Sequence, residues 1–255
     1  MSENTITARI LQYGERNFYG NPTDDPQSLK ASQFVERNSN AWLFGVIFDQ
    51  GVKAEKAWEA PYLLRRRLGH LNMRRIANMR LGELRKAIKG SRNEKALHRF
   101  VNNVSRWIKA AAKKLIDEYR GDAENIWSDC RTAGEIIERL DEFKGVGKKK
   151  AHMAAAILRT YEYPFTGFDQ INMAVDVHVR RVWRRLGLVK TGDTREIHAK
   201  ATELHPEYPG ALDAPTWLIG RAWCHAGNPD CHGARNEEPC PLAKSCPTAK
   251  HRKRR

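Results

Sequence analysis

Residues 143–151 read Phe-Lys-Gly-Val-Gly-Lys-Lys-Lys-Ala, two glycines one residue apart followed by three consecutive lysines. Upstream, Thr132 and Glu135 have capping-box spacing, and Ile136, Ile137, Leu140 and Phe143 recur at helical intervals, so a helix ends near Phe143. Downstream, Lys148–Thr160 has high helix propensity, and Pro164 lies just beyond it. Gly145 and Gly147 suit a turn with positive φ and close backbone approach. The stretch therefore predicts helix, short glycine turn, helix. The second helix presents its unpaired N–H groups, which hold a phosphate oxygen around Gly145, Val146 and Gly147, and Lys148 and Lys150 reinforce that field.

Composition points to the same partner class. The 255 residues carry 45 Lys+Arg against 30 Asp+Glu, a formal charge of +15, as expected where the partner is a polyanion and nucleic acid foremost. No apolar run approaches the roughly 20 residues of a membrane-spanning helix, and the opening Met-Ser-Glu-Asn lacks the basic and apolar regions of a signal peptide. The expectation is an intracellular protein of the cytoplasm or nucleoid with no membrane partner. The fold class is mostly α. Residues 40–50 (NAWLFGVIFDQ) read as a buried helix capped by an Asn, and residues 98–119 as a loop feeding a long helix, while no set of alternating strand segments appears.

In Val175–Leu188 (VDVHVRRVWRRLGL), Val179, Val182, Trp183 and Leu186 form one apolar helical face, and Arg180, Arg181, Arg184 and Arg185 form the other. Gly187 suits the C-terminal cap, and Asp176 falls at the N-terminus, where an aspartate accepts backbone hydrogen bonds. Near the C-terminus, Cys224, Cys231, Cys240 and Cys246 are separated by six, eight and five residues. Four clustered thiols in an intracellular chain favour a metal over disulfides, and all-cysteine ligation suits zinc or an iron–sulfur cluster. His225 and His232 are alternative ligands, and Cys130 reads as an ordinary packed thiol.

Together GVGKKKA, VDVHV and the cysteine set resemble the helix-hairpin-helix (HhH-GPD) DNA glycosylase superfamily, in particular its endonuclease III branch with a C-terminal [4Fe-4S] loop. The middle cysteine gap is six residues longer here than in that family, and YEYPFTGFDQINMA lengthens the path from the hairpin to Asp176. The resemblance implies two helical lobes, a six-helix barrel over residues 40–168 with the hairpin, and a cluster lobe from residues 1–39 and 169–255 with a basic tail. DNA would lie in the cleft between them. It further implies Lys149 and Asp176 as catalytic residues, the four cysteines as ligands of a [4Fe-4S] cluster, and His178 as a DNA contact. Gln50 corresponds to the residue inserted into the duplex, with Arg99 and Phe100 in a second inserted loop.

The implied reaction is excision of a damaged base, with oxidised pyrimidines as the default substrate, followed by strand cleavage through a Lys149 Schiff base assisted by Asp176. An ammonium cannot attack carbon, and neighbouring charge with partial burial of Lys149 both favour the free amine. The partner is double-stranded DNA carrying a damaged base or abasic site, engaged by a monomer. Two alternatives stay open: a monofunctional glycosylase in which Asp176 activates water, and a non-catalytic DNA-binding protein. Tyr161, Tyr163, Phe165 and Phe168 of the longer path either stack on DNA or pack on their own domain.

Overall fold

The computed structural model describes residues 3–17 and 26–250, so the last five residues of the basic tail, expected to add phosphate affinity, lie outside the described residues. The described helices are, in chain order, α1 (Glu3–Asn17), α2 (Pro26–Glu36), α3 (Ser39–Phe48), α4 (Ala54–Leu68), α5 (Met73–Asn78), α6 (Leu81–Lys89) and α7 (Val101–Glu118). They continue with α8 (Ala133–Asp141), α9 (Gly147–Thr160), α10 (Val177–Leu186), α11 (Thr194–Leu204), α12 (Asp213–Ala222) and α13 (Pro247–Lys250). Among the described residues there is no strand, only an isolated bridge between Thr132 and Thr166. The mostly helical expectation holds, and none of these helices is long and apolar enough to cross a membrane.

The described residues divide into two compact units. A central unit comprises those within Asn21–Arg131 and Glu135–Ala154, and a terminal unit those within Met1–Gly20, Thr132–Gly134 and Ala155–Arg255.

At the heart of the central unit is α3, in which every residue from Ala41 to Phe48 is buried. Its cap is Asn38, whose Oδ1 accepts from Ala41 N–H at 2.8 Å, and not Asn40 as the sequence suggests. Asn40 instead serves tertiary structure, donating to Gly121 O and accepting from Ala123 N–H. Gly45 allows α3 to meet α4 closely, since a Cβ there would stand 2.7 Å from the Trp58 ring. The long helix α7 buries Val104, Ile108, Ala111, Ala112 and Leu115 along one stripe, as a 3.6-residue period requires.

In the terminal unit α10 is the organising helix. It buries Val179, Val182, Trp183 and Leu186, the face its periodicity predicts, and ends at Gly187 with φ 76°. The longer path ahead of it is folded on its own unit. Phe165 is buried and lies edge-on to Phe168, and the Arg159 guanidinium stacks 4.6 Å from both the Phe168 and Tyr208 ring centres. These aromatic residues therefore pack internally, while Tyr161 stays exposed.

Candidate functional site

The hairpin lies where the sequence places it. α8 ends at Asp141, Phe143 and Val146 are buried, and Val146 N–H donates to Phe143 O at 2.9 Å to close the turn before α9 starts at Gly147. Both glycines are required. Gly145 has φ 91° and presses on the Trp107 ring, which a Cβ would approach to 2.7 Å. Gly147 has φ 66° with open space where a Cβ would be, leaving the first N–H groups of α9 approachable from outside.

The three lysines that follow have different fates. Lys148 and Lys149 are exposed. Lys150 is 5% exposed, and its Nζ donates to Val46 O at 2.8 Å and Ile47 O at 3.1 Å. The phosphate contact expected of Lys150 is thus corrected: helical rotation turns it into the core while its neighbours face out. The partial burial expected of Lys149 is also not found. Burial pushes the Lys150 ammonium down to about 8, with Asp49 opposing the shift and Lys149 adding to it.

Gln50, Arg99 and Phe100 are brought together in the same unit. Gln50 is exposed just beyond α3, and the adjacent Gly51, at φ 65°, faces the Phe100 ring and the Arg99 guanidinium. Arg99 stacks on Phe100 at 4.4 Å, and both are exposed. Sequence reasoning missed His98, which is fully buried between them. Its Nδ1 accepts from Phe100 N–H at 3.0 Å, so the ring proton is on Nε2, which donates to Gln50 O at 3.0 Å. Burial, with Lys150, Lys56 and Arg99 nearby, holds the ring pKa below its usual value against the opposing bond to Gln50.

Asp176 is in the terminal unit. As the N-cap of α10, its Oδ1 accepts from His178 N–H at 2.7 Å and Val179 N–H at 2.9 Å. His178 is half-buried, edge-on to Trp217, with Nδ1 2.8 Å from Arg181 Nη2. Arg181 donates to Gly220 O at 3.0 Å and to Cys224 O, and Arg185, one turn on, donates to Cys224 Sγ at 3.3 Å, His225 O and Ala226 O. Two of the four arginines on the polar face of α10, Arg181 and Arg185, are therefore clamps on the first cysteine, and a chain of bonded groups runs from Asp176 through His178 and Arg181 to it. Only their i, i+4 spacing marked them in the sequence.

The four predicted cysteines line one cavity, walled largely by apolar groups such as Val182, Leu186, Ile219 and Leu242. The extra residues of the middle gap do not separate the ligands. Asp230, 4% exposed, gathers the backbone N–H groups of Ala234, Arg235 and Asn236 at 2.7–3.0 Å, and the returning chain lets Cys240 N–H donate to Cys231 O at 3.2 Å. Burial alone would raise the Asp230 pKa, but these three donors hold it below the usual carboxylate range.

A [4Fe-4S] group fits this site. The donors are all thiols, and the four line one cavity whose other walls are largely apolar, the donor set and surroundings an iron–sulfur cluster takes. Among the described residues no group of three or more His, Cys, Asp or Glu side chains is drawn together closely enough to hold a metal ion, His225 and His232 included. Burial pushes the Cys240 thiol up to about 12, against a backbone hydrogen bond from Leu242 and reinforced by the other three thiols.

The model of the HhH-GPD superfamily, base excision DNA repair proteins, matches residues 44–207. Endonuclease III of Rickettsia conorii is 33% identical over 147 residues, covering 57% of this chain and 58% of the relative. Endonuclease III-like protein 1 of Gallus gallus is 30% identical over 150 residues, covering 57% of this chain and 46% of the relative. The match thus spans less than two thirds of either relative. Among solved structures, a trapped endonuclease III–DNA covalent intermediate superposes over the whole of both chains with a TM-score of 0.68 at 20% identity. A non-covalent endonuclease III–DNA complex gives 0.66 at 21% identity, covering 98% of this chain and 97% of that one. These structures share the helical fold. With the family model matched across the hairpin and Asp176, the chain belongs to the HhH-GPD superfamily of base excision DNA repair proteins.

Proposed function

We propose that the protein is a DNA glycosylase that removes a damaged base from double-stranded DNA and then nicks the strand as an abasic-site lyase. The observation that carries this reading is the division of the hairpin lysines: Lys150 is committed to the core, which leaves Lys149 exposed on the first turn of the helix that receives the phosphate.

The hairpin N–H groups and Lys148 hold the backbone, and Gln50 with Arg99 and Phe100 fills the stack vacated by the flipped nucleotide, whose extrusion costs a few kcal/mol. The Lys149 ammonium first gives up a proton to solvent; the amine then attacks C1′ as the C1′–N bond to the base breaks, and the base leaves with the electron pair and takes up the proton lost by the attacking nitrogen. Opening of the sugar ring gives an iminium between C1′ and Nζ. That cation acidifies the C2′ hydrogen, and loss of the C2′ proton expels the 3′ phosphate. Water then hydrolyses the imine and returns Lys149. Asp176, fixed through Oδ1, presents Oδ2 to the positive charge that develops on the sugar. Cys224, Cys231, Cys240 and Cys246 hold a [4Fe-4S] cluster that supplies structural and electrostatic support. Oxidised pyrimidines are the first substrates to screen.

The test is borohydride trapping on a duplex with one abasic site, with base release followed in parallel. The lyase reading expects a covalent adduct that is lost in Lys149→Ala. Base release that survives Lys149→Ala but fails in Asp176→Asn identifies the monofunctional enzyme. Salt-dependent binding with no product on any lesion leaves a non-catalytic DNA-binding protein.

A further inference from the structure

The C-terminus of α3 is a closed account. A helix end leaves four carbonyls without intrahelical donors, and α3 is too deeply buried for water to supply them. The chain itself serves two: Asp49 N–H donates to Gly45 O at 3.0 Å and Gln50 N–H to Phe48 O at 2.7 Å. It then turns away through Gly51, leaving Val46 O and Ile47 O to the Nζ of Lys150. One ammonium on the first turn of α9 thus completes the end of the helix from which Gln50 projects. A second bond fixes the same turn from the other side, since buried His98 donates to Gln50 O and accepts from Phe100 N–H. The hairpin, the Gln50 turn and the Arg99–Phe100 loop are therefore tied into one body through two buried titratable side chains, neither of which faces solvent.

We propose that Lys150 and His98 are positioning residues that hold the duplex-inserting segments in fixed register with the phosphate-gripping hairpin, so that grip and insertion act on one DNA conformation without either side chain touching DNA. This rests on the DNA reading given above. A neutral donor would satisfy two carbonyls at far smaller cost than a desolvated ammonium, whose burial is expensive unless geometry repays it. The lysine is placed where three segments proposed to touch the duplex meet. The charged groups facing it are Asp49, which stabilises the ammonium, and Lys149, which opposes it. Insertion stabilises only a duplex that has already lost a base, whereas the hairpin grips any duplex. Positioning is therefore read in the ratio of the two affinities.

The experiment compares binding of the full chain to an undamaged duplex and to the same duplex carrying one tetrahydrofuran abasic analogue, for wild type, Lys150→Met, His98→Phe and the double variant, over a range of salt. Each single variant is expected to bind undamaged duplex within about twofold of wild type and with the same salt slope, and to lose about tenfold or more of its preference for the abasic duplex. The double variant is expected to lose about as much as either single one, because releasing one tie already frees the turn. The ratio does not depend on the fraction of folded protein, so a loss of stability does not mask the result. A slope shallower by about 0.9 in Lys150→Met makes the side chain a phosphate contact and overturns the proposal. So does an unchanged ratio, or a double variant whose loss is the product of the two. A wild type with no preference for the abasic duplex is a different result, which removes the glycosylase reading itself.

Discussion

The hairpin of the central unit and the cysteine cavity of the terminal unit are built in opposite ways. The hairpin is defined by consecutive residues whose backbone angles suffice, Gly145 at φ 91° and Gly147 at φ 66°. The cavity is assembled by side chains spread from Arg181 to Cys246, with the chain closed by the carboxylate of Asp230. A motif made of backbone survives changes in whatever follows it. A site made of distant side chains needs bonds that fold any added residues back, and in the long middle gap the buried Asp230 carboxylate supplies them.

The largest expected effect separates the chemistry contributed by each unit. Asp176→Asn keeps an acceptor for His178 and Val179 N–H but removes the charge, and is expected to slow base release by about 10²–10⁴-fold while duplex binding is retained. Single-turnover base release beside binding on the same duplex checks this. An equal fall in both shows that Asp176 serves only as a helix cap. Next comes Asp230→Ala, which removes the acceptor of three backbone N–H groups on exposed residues, bonds worth about 0.5–1.5 kcal/mol each. It is expected to lower the iron and sulfide content of the purified chain while helical circular dichroism stays near the wild type. Unchanged iron would mean that the cysteines meet without the loop, and the contrast with the hairpin would fail.

A third prediction sharpens the comparison inside the central unit. Because folding lowers the Lys150 pKa from 10.5 to about 8, the native state binds fewer protons than the unfolded chain between those values. The burial penalty is fully present below pH 8, and stability rises as pH climbs from about 8 towards 10.5. The stability of wild type minus that of Lys150→Met is therefore expected to grow by up to about 3 kcal/mol across that window, read from urea melts at several pH values. A difference independent of pH refutes it.

The same contrast explains what was legible in the sequence. The hairpin, the apolar face of α10 and the Asp176 cap follow from local period and cap chemistry, and the structure keeps all three. The cap of α3 was misassigned because Asn38 and Asn40 flank one serine and are equivalent by sequence; only the contacts of Asn40 to Gly121 and Ala123 separate them. Lys148, Lys149 and Lys150 are identical as letters, and only the rotation of α9 against the end of α3 decides which is buried. His98, Arg181 and Asp230 gain their roles from partners 39 or more residues away or from a loop folding back, which no local window contains.

The smallest effect tests whether position or mere charge matters on the central unit. Lys148 and Lys113 are both exposed lysines, but Lys148 stands on the first turn of α9 at the hairpin, whereas Lys113 lies on α7 with its Nζ 2.6 Å from Asp117. A cation that releases a counterion from the phosphate backbone contributes about 0.9 to the slope of log affinity against log salt. Lys148→Ala is expected to flatten that slope by about this amount. Lys113→Ala removes the same formal charge and is expected to leave the slope unchanged, since its ion pair contributes only about 0.3–0.5 kcal/mol to the helix and nothing to DNA. Equal flattening by both would mean that the +15 of the chain acts as a diffuse field. The hairpin would then lose its claim to be a localised phosphate site, because a backbone motif that grips one phosphate must make the residue beside it count for more than a lysine elsewhere.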